Sequence, residues 1–176
     1  MSLRKIVAKQ LARRARKRIN KWAENPIETQ QRVFEQLIQK AKQTDFGKAH
    51  GFDQIQNHKD FIKRVPIADY EGLRPYVDRV VAGEADVLWP GKPLYFAKTS
   101  GTTSGAKYIP LTKESMPTHI DAAKNALFCH IEATGDASFV DGKMIFLQGS
   151  PILEEKNGIA LGRLSGIVAH LSLIHI

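Results

Sequence analysis

Apolar residues recur every three or four positions through the first half of the chain, and the pattern then shifts to short continuous runs. Leu3, Ile6, Val7, Leu11, Ala15, Ile19 and Trp22 share a helical spacing, which predicts an amphipathic helix over 3–22 docked by that stripe. Asn25-Pro26-Ile27-Glu28 reads as a helix start, with Asn as cap, Pro in the first turn and Glu three residues after the cap. Ile27, Phe34, Leu37, Ile38 and Ala41 mark the apolar face of that helix, and Gly47 is its expected stop. Asn57 caps a short helix with Phe61 and Ile62 on its buried side, ended by Pro66. His58 reads as a first-turn surface residue. Asp69 opens a further helical segment, which Pro75 is expected to divide into two short pieces before Gly83 closes it. Trp89 is expected to plug the core beneath the segment that follows.

Leu94-Tyr95-Phe96-Ala97 and Tyr108-Ile109-Pro110-Leu111 are strand-like runs. Thr112 reads as the cap of a long helix over 113–133, lined by Met116, Ile120, Ala123, Leu127 and Ile131 and ended by Gly135. His119 and His130 are separated by about three turns of that helix, too far for a metal pair. Lys143-Met144-Ile145-Phe146-Leu147-Gln148 is another run of strand type, broken by Gly149-Ser150-Pro151. Gly158 to Ile176 is apolar and spaced by glycines; within it Arg163 reads as an anion contact or, more commonly, a carbonyl cap.

Between the two strand-like runs lies Lys98-Thr99-Ser100-Gly101-Thr102-Thr103-Ser104-Gly105-Ala106-Lys107, with five hydroxyl residues, two glycines and a lysine at each end. Such a loop suits a polyphosphate. Glycines let the backbone approach closely, successive N–H groups form an anion-binding concavity, hydroxyls donate, and Lys107 adds a point charge. It is not a Walker A motif, because three residues separate Gly101 from Gly105 and Ala106-Lys107-Tyr108 follows. The bland alternative is a polar hairpin turn, since Ser, Thr and Gly are ordinary turn residues.

Charge changes the picture at one end only. The net charge is +8, yet residues 1–22 hold nine Lys/Arg and no acid, and the remainder is near neutral with 17 basic and 18 acidic residues. A basic amphipathic helix suits an anionic membrane surface, nucleic-acid phosphates or a transit peptide. The simpler reading is a helix docked by its apolar stripe with a solvated basic face. No specific nucleic-acid partner is expected, and membrane contact by 3–22 is the less favoured alternative. Charges interrupt every short apolar run near the start, so no secretory signal is read there. No apolar run approaches the roughly 20 residues of a membrane span. Cys129 is the single cysteine, which excludes an internal disulfide and fits a reducing, cytoplasmic setting.

Five blocks together carry a resemblance. They are Thr44-Asp45-Phe46-Gly47-Lys48-Ala49-His50-Gly51-Phe52, Val65-Pro66-Ile67-Ala68-Asp69-Tyr70-Glu71, Leu88-Trp89-Pro90-Gly91-Lys92-Pro93, the hydroxyl loop, and Asp141-Gly142-Lys143 through Gly149-Ser150-Pro151. They resemble the auxin-responsive acyl-acid amido synthetases, the Gretchen Hagen family, over roughly residues 20–170, and lie closer to its bacterial relatives than to the plant hormone enzymes. The resemblance implies an α/β fold, the N-terminal part of a firefly-luciferase-like adenylate-forming domain, helix-rich at first and followed by a few strands. It implies a ligase that uses ATP and Mg2+ to adenylate a small carboxylic acid and then passes the acyl group to an amine or amino acid. It assigns ATP-phosphate contact to Thr99, Ser100, Gly101, Thr102, Thr103, Ser104, Gly105 and Lys107; it assigns no catalytic residue and no metal ligand here. Family members are far longer. The expected organisation is therefore a basic helix over 1–22 and an incomplete adenylate-forming portion over 23–176, inactive alone. Leu171-Ser172-Leu173-Ile174-His175-Ile176 lack family character, so 170–176 are read as a non-native end. The alternative is a nucleic-acid or anionic-membrane binding module built on the helix 3–22, or a non-catalytic fragment.

Overall fold

A computed structural model of the protein describes residues 2–99, 106–143, 145 and 147–174. These residues fall into two compact units, 1–30 with 116–147 and 31–115 with 148–176.

The first unit is built on helix α1 (Leu3–Ala23) and helix α6 (Met116–Thr134). The helix over the basic segment is present, but of the stripe expected to dock it only Ala15 is buried. Ala8, Ala12 and Ala15 are its buried residues, and Ala8 and Ala12 cluster with Ile131, Ala137, Phe128, Phe139 and Val140. Leu3, Val7, Leu11 and Trp22 are exposed. Alanines lie at three- and four-residue spacing on the docked side, and their small side chains let two helices approach closely. Closeness of backbone, not bulk of side chain, selects the face. Polar contacts hold the end of α1. Ser2 Oγ caps Lys5 N–H at 3.3 Å and donates to the Asp141 carboxylate at 2.7 Å, and Lys5 Nζ lies 3.2 Å from the same carboxylate. The Ser2 hydroxyl and then the Lys5 ammonium hold the Asp141 carboxyl below its usual range. A carboxyl depressed in the folded state contributes stability above its unfolded pKa of about 3.9 and loses it as pH falls through the folded value. Asp141→Asn is therefore expected to flatten the fall of melting temperature between about pH 5 and pH 3. An unchanged slope in that variant would show that the Ser2–Asp141–Lys5 contact does not form.

The second unit carries helix α2 (Pro26–Ala41) from Gln31 onward, the short helices α3 (Asp45–Ala49) and α4 (His58–Arg64), and helix α5 (Tyr70–Val81). Among the described residues it holds one sheet with strands β1 (Tyr95–Lys98), β2 (Tyr108–Leu111), β3 (Glu154–Lys156) and β4 (Ile159–Gly162), in the order β2-β1-β4-β3. β1 pairs antiparallel with β2 and parallel with β4, and β3 pairs antiparallel with β4. Phe96, Ile159 and Leu161 pack with Val77, Val80, Val81 and Val87, so α5 covers one face of the sheet. Alternation along the strands turns Ala97, Ala160 and Gly162 to the other face, where helix α7 (Leu164–Ile174) packs on β1 and β4.

Gly47 does not stop α2, which ends at Ala41; it sits buried inside α3, where a Cβ would lie 2.2 Å from the Ala41 carbonyl oxygen. Thr44 caps α3 and donates its hydroxyl to that same carbonyl at 2.7 Å, so the close approach and not a turn requires the glycine. On α2 only Ile38 and Ala41 are buried, while Ile27 and Leu37 are exposed, as is Ile62 on α4. Pro75 does not divide the helix. α5 runs unbroken, its Asp69 cap in place at 2.9 Å, because the buried face of Val77, Val80 and Val81 outweighs one lost backbone bond at an exposed position. Trp89 packs with Phe46 and Phe52, not in the cluster beneath β1 and β2, and its indole N–H reaches Glu114 at 3.3 Å. Thr112 pairs with Ser115 in a turn, and α6 begins after it at Met116; Ala123 and Leu127 are exposed. The run 143–148 is not a strand at its described residues. Ile145 and Leu147 are exposed, Met144 and Phe146 lie outside the described residues, and the sheet pairs none of the run's described residues. An apolar run becomes a strand only where a neighbour takes up its backbone groups.

Candidate functional site

One edge of the sheet gathers the chemistry. β1 and β4 run parallel, so both carboxyl ends emerge together: Lys98 and Thr99 after Ala97, Arg163 after Gly162. β2 and β3 run the opposite way, so their starts lie at the same edge, with Lys107 before Tyr108 and Glu154 at the head of β3. Ligands of open α/β sheets collect at such carboxyl ends. A cavity of about 290 Å³ lies there, lined by Lys98, Thr99, Ser150, Glu154, Gly162 and Arg163 among others. Lys98 Nζ and the Glu154 carboxylate stand 3.9 Å apart at its mouth. Two cations against one acid leave the cavity net positive.

The hydroxyl stretch is the connection between β1 and β2. Thr99 N–H donates to the Lys107 carbonyl at 3.1 Å, closing the neck of the loop one pair beyond Lys98 and Tyr108. The structure thus brings Thr99 and Lys107 together through the backbone. Their side chains part: Thr99 lines the cavity, whereas Lys107 Nζ lies 5.3 Å from the centroid of the Tyr70 ring. Tyr70 on α5 also accepts the Tyr108 N–H at 2.9 Å, so one side chain holds the returning strand and the lysine before it. Lys156 Nζ in turn sits over the Tyr108 ring at 4.6 Å. Ser100, Gly101, Thr102, Thr103, Ser104 and Gly105 lie outside the described residues.

The far wall rests on a close contact. Gly166, in the first turn of α7, is buried, and a Cβ there would lie 2.2 Å from the Ser150 carbonyl oxygen. Ser165 Oγ accepts the Gly149 N–H at 3.0 Å, fastening the same segment. Arg163 gives its carbonyl to Ile167 N–H at 2.9 Å, as the residue before a helix does, and is one of the residues lining the cavity. Sequence reasoning missed Tyr70, Ser150 and Glu154 as members of this edge. Tyr70 is 38 residues from Tyr108, and no local signal joins them. The β3–β4 hairpin had a signal, Asn157-Gly158 between short alternating segments, with Asn157 at φ 51° and Gly158 at φ 78°.

Residues 15–174 match the family model described as the GH3 family N-terminal domain. The chain belongs to the GH3 family. Among curated relatives it is 31% identical over 117 residues to indole-3-acetic acid-amido synthetase GH3.15 of Arabidopsis thaliana, covering 64% of this chain and 20% of that one. It is 25% identical over 136 residues to the jasmonoyl–L-amino acid synthetase JAR4 of Nicotiana attenuata, covering 76% and 23%. The fold matches a structure of the AtGH3.15 acyl acid amido synthetase in complex with 2,4-DB, with a TM-score of 0.69, 24% identity, and coverage of 84% of this chain and 26% of that one. The chain therefore spans about a fifth to a quarter of the length of these GH3 relatives. The helix-rich α/β architecture expected for the N-terminal part of a GH3 enzyme is the one observed.

Proposed function

We propose that this chain is the phosphate-loop portion of an ATP-dependent acyl-acid amido synthetase. In the first half-reaction a carboxylate oxygen of a small organic acid attacks the α-phosphorus of ATP, the bond to the bridging oxygen breaks, and pyrophosphate leaves. In the second, an amine or amino-acid nitrogen attacks the acyl carbon and AMP leaves. The observation that carries the reading is where the described ends of the loop lie: Lys98 and Thr99 before it and Lys107 after it stand at the sheet edge where Lys98, Thr99 and Arg163 line one cavity. The residues fit a polyphosphate: cations and hydroxyls converge there, and residues 98–107 contain no carboxylate to repel it. Magnesium bound to ATP would supply further neutralisation of the leaving pyrophosphate. The chain's part is to hold the phosphates in line, and charge placed in advance of the reaction lowers the barrier without reorganisation.

The test is thermal unfolding with and without MgATP. A ligand that binds only the native state stabilises it by about 2.7 kcal/mol at a hundred times its Kd. Lys107→Ala is expected to remove most of the rise caused by MgATP. Its effect without nucleotide should be small, since a cation over a half-buried ring contributes on the order of 1 kcal/mol. The same variant in a longer protein carrying this segment should slow ATP–pyrophosphate exchange by on the order of 100-fold, the usual cost of one lost charge-stabilising group. An equal MgATP shift in Lys107→Ala and its parent would remove the loop from the nucleotide site.

A further inference from the structure

Helix α1 docks its alanines, which leaves the larger apolar side chains outside. Leu3 is 75% exposed, Val7 49%, Leu11 43% and Trp22 49%. At about 100° per residue these four fall within an arc of about 100°, turned roughly 100° from the alanine face. Arg14, Arg18 and Lys21 lie in the same arc, and Lys17 about 40° outside it. Arg18 is engaged with α6, 3.5 Å from Asn125 and 4.0 Å from Asp121, and Lys5 with Asp141. Among the described residues Arg14, Lys17 and Lys21 form no ion pair. Leu3, Val7, Leu11 and Arg14 also precede residue 15, where the match to the GH3 family begins.

We propose that this face of α1 binds the surface of an anionic phospholipid membrane. The mixture of side chains selects that occupant. Aliphatic residues interleaved with cations suit the boundary between headgroups and acyl chains, and Trp22 is the residue type that settles at that depth. The cations meet the negative potential of acidic headgroups, and the first 22 residues carry no acid to oppose it. A nucleic acid would satisfy the cations but leave Leu3, Val7 and Leu11 against phosphate and water. The helix lies on the surface and does not cross: among the described residues no helix is long and apolar enough to span a membrane.

The experiment is co-sedimentation of the whole chain with vesicles of phosphatidylcholine alone and of phosphatidylcholine with phosphatidylglycerol, at salt from about 0.05 to 0.5 M. Binding is expected only to the anionic vesicles and to weaken with salt. It should be accompanied by a blue shift of tryptophan emission that Trp22→Phe abolishes. Leu11→Asp should weaken partitioning on the order of tenfold or more, and Arg14→Gln with Lys21→Gln on the order of 20-fold. Both changes are at surface positions, and unchanged circular dichroism will show that the helix is intact. Equal binding to neutral vesicles would overturn the proposal, as would anionic binding indifferent to Leu11→Asp. So would no vesicle binding together with salt-sensitive binding of duplex DNA, or with self-association that Leu11→Asp dissolves.

Discussion

Replacing Phe96 with alanine is expected to cost about 3–5 kcal/mol of folding free energy, the range for removing a large aromatic from a core. Phe96 has no exposed surface. It sits in the middle of β1, opposite Pro110 on β2 and Leu161 on β4, and faces the valines of α5. Tyr108 meets its ring edge to face, with centroids 6.0 Å apart. The loss would fall at the point where both flanking strands and the covering helix converge, so no neighbour is free to fill the space. A domain of ordinary stability holds only about 5–15 kcal/mol in total. The check is urea unfolding: the midpoint should fall sharply with the slope unchanged, and the MgATP shift should vanish with the hairpin. A cost below about 1 kcal/mol would mean that Phe96 does not occupy the centre of a close-packed core.

Gly166→Ala is expected to destabilise the protein by about 1–3 kcal/mol, the usual cost of overpacking. Helix propensity alone favours the change by about 1 kcal/mol, so the sign of the effect discriminates. The added Cβ would stand 2.2 Å from the Ser150 carbonyl oxygen and 3.1 Å from its carbonyl carbon, both backbone atoms. No rotamer relieves that contact; either the start of α7 or the 149–150 segment must move. Ser150 and Arg163 line the cavity beside Lys98 and Thr99, so the displacement would reach the candidate phosphate site. The variant should therefore lose nucleotide-dependent stabilisation beyond its loss of stability. Stability equal to or above the parent would show that α7 does not lie against Ser150.

Local signals were legible along the chain. Caps at Asn57 and Asp69 are where side-chain oxygens meet the first helical N–H groups, because capping is a matter of a few adjacent residues. The two strand-like runs beside the hydroxyl loop became β1 and β2, since their polar connection forces a hairpin. The family blocks pointed to the GH3 fold that the comparisons bear out.

Partner choice was not legible. Helical periodicity marked α1 as amphipathic but pointed to Leu3, Val7 and Leu11, whereas close backbone approach to α6 chose the alanines. The run 143–148 had strand composition, yet pairing along the chain gave the sheet edge to β3 and β2. Pro75 carried a breaker's signal that burial of three valines overrode. Ser150 and Gly166 entered the site only because a parallel pair of strands far apart in sequence brings their ends to one edge, and Tyr70 because α5 packs against β2. Capping, turn chemistry and loop composition act between near neighbours and are written in the order of residues. Which face is buried, which run finds a strand to pair with, and which distant groups meet depend on long-range packing, and only the assembled structure decides them.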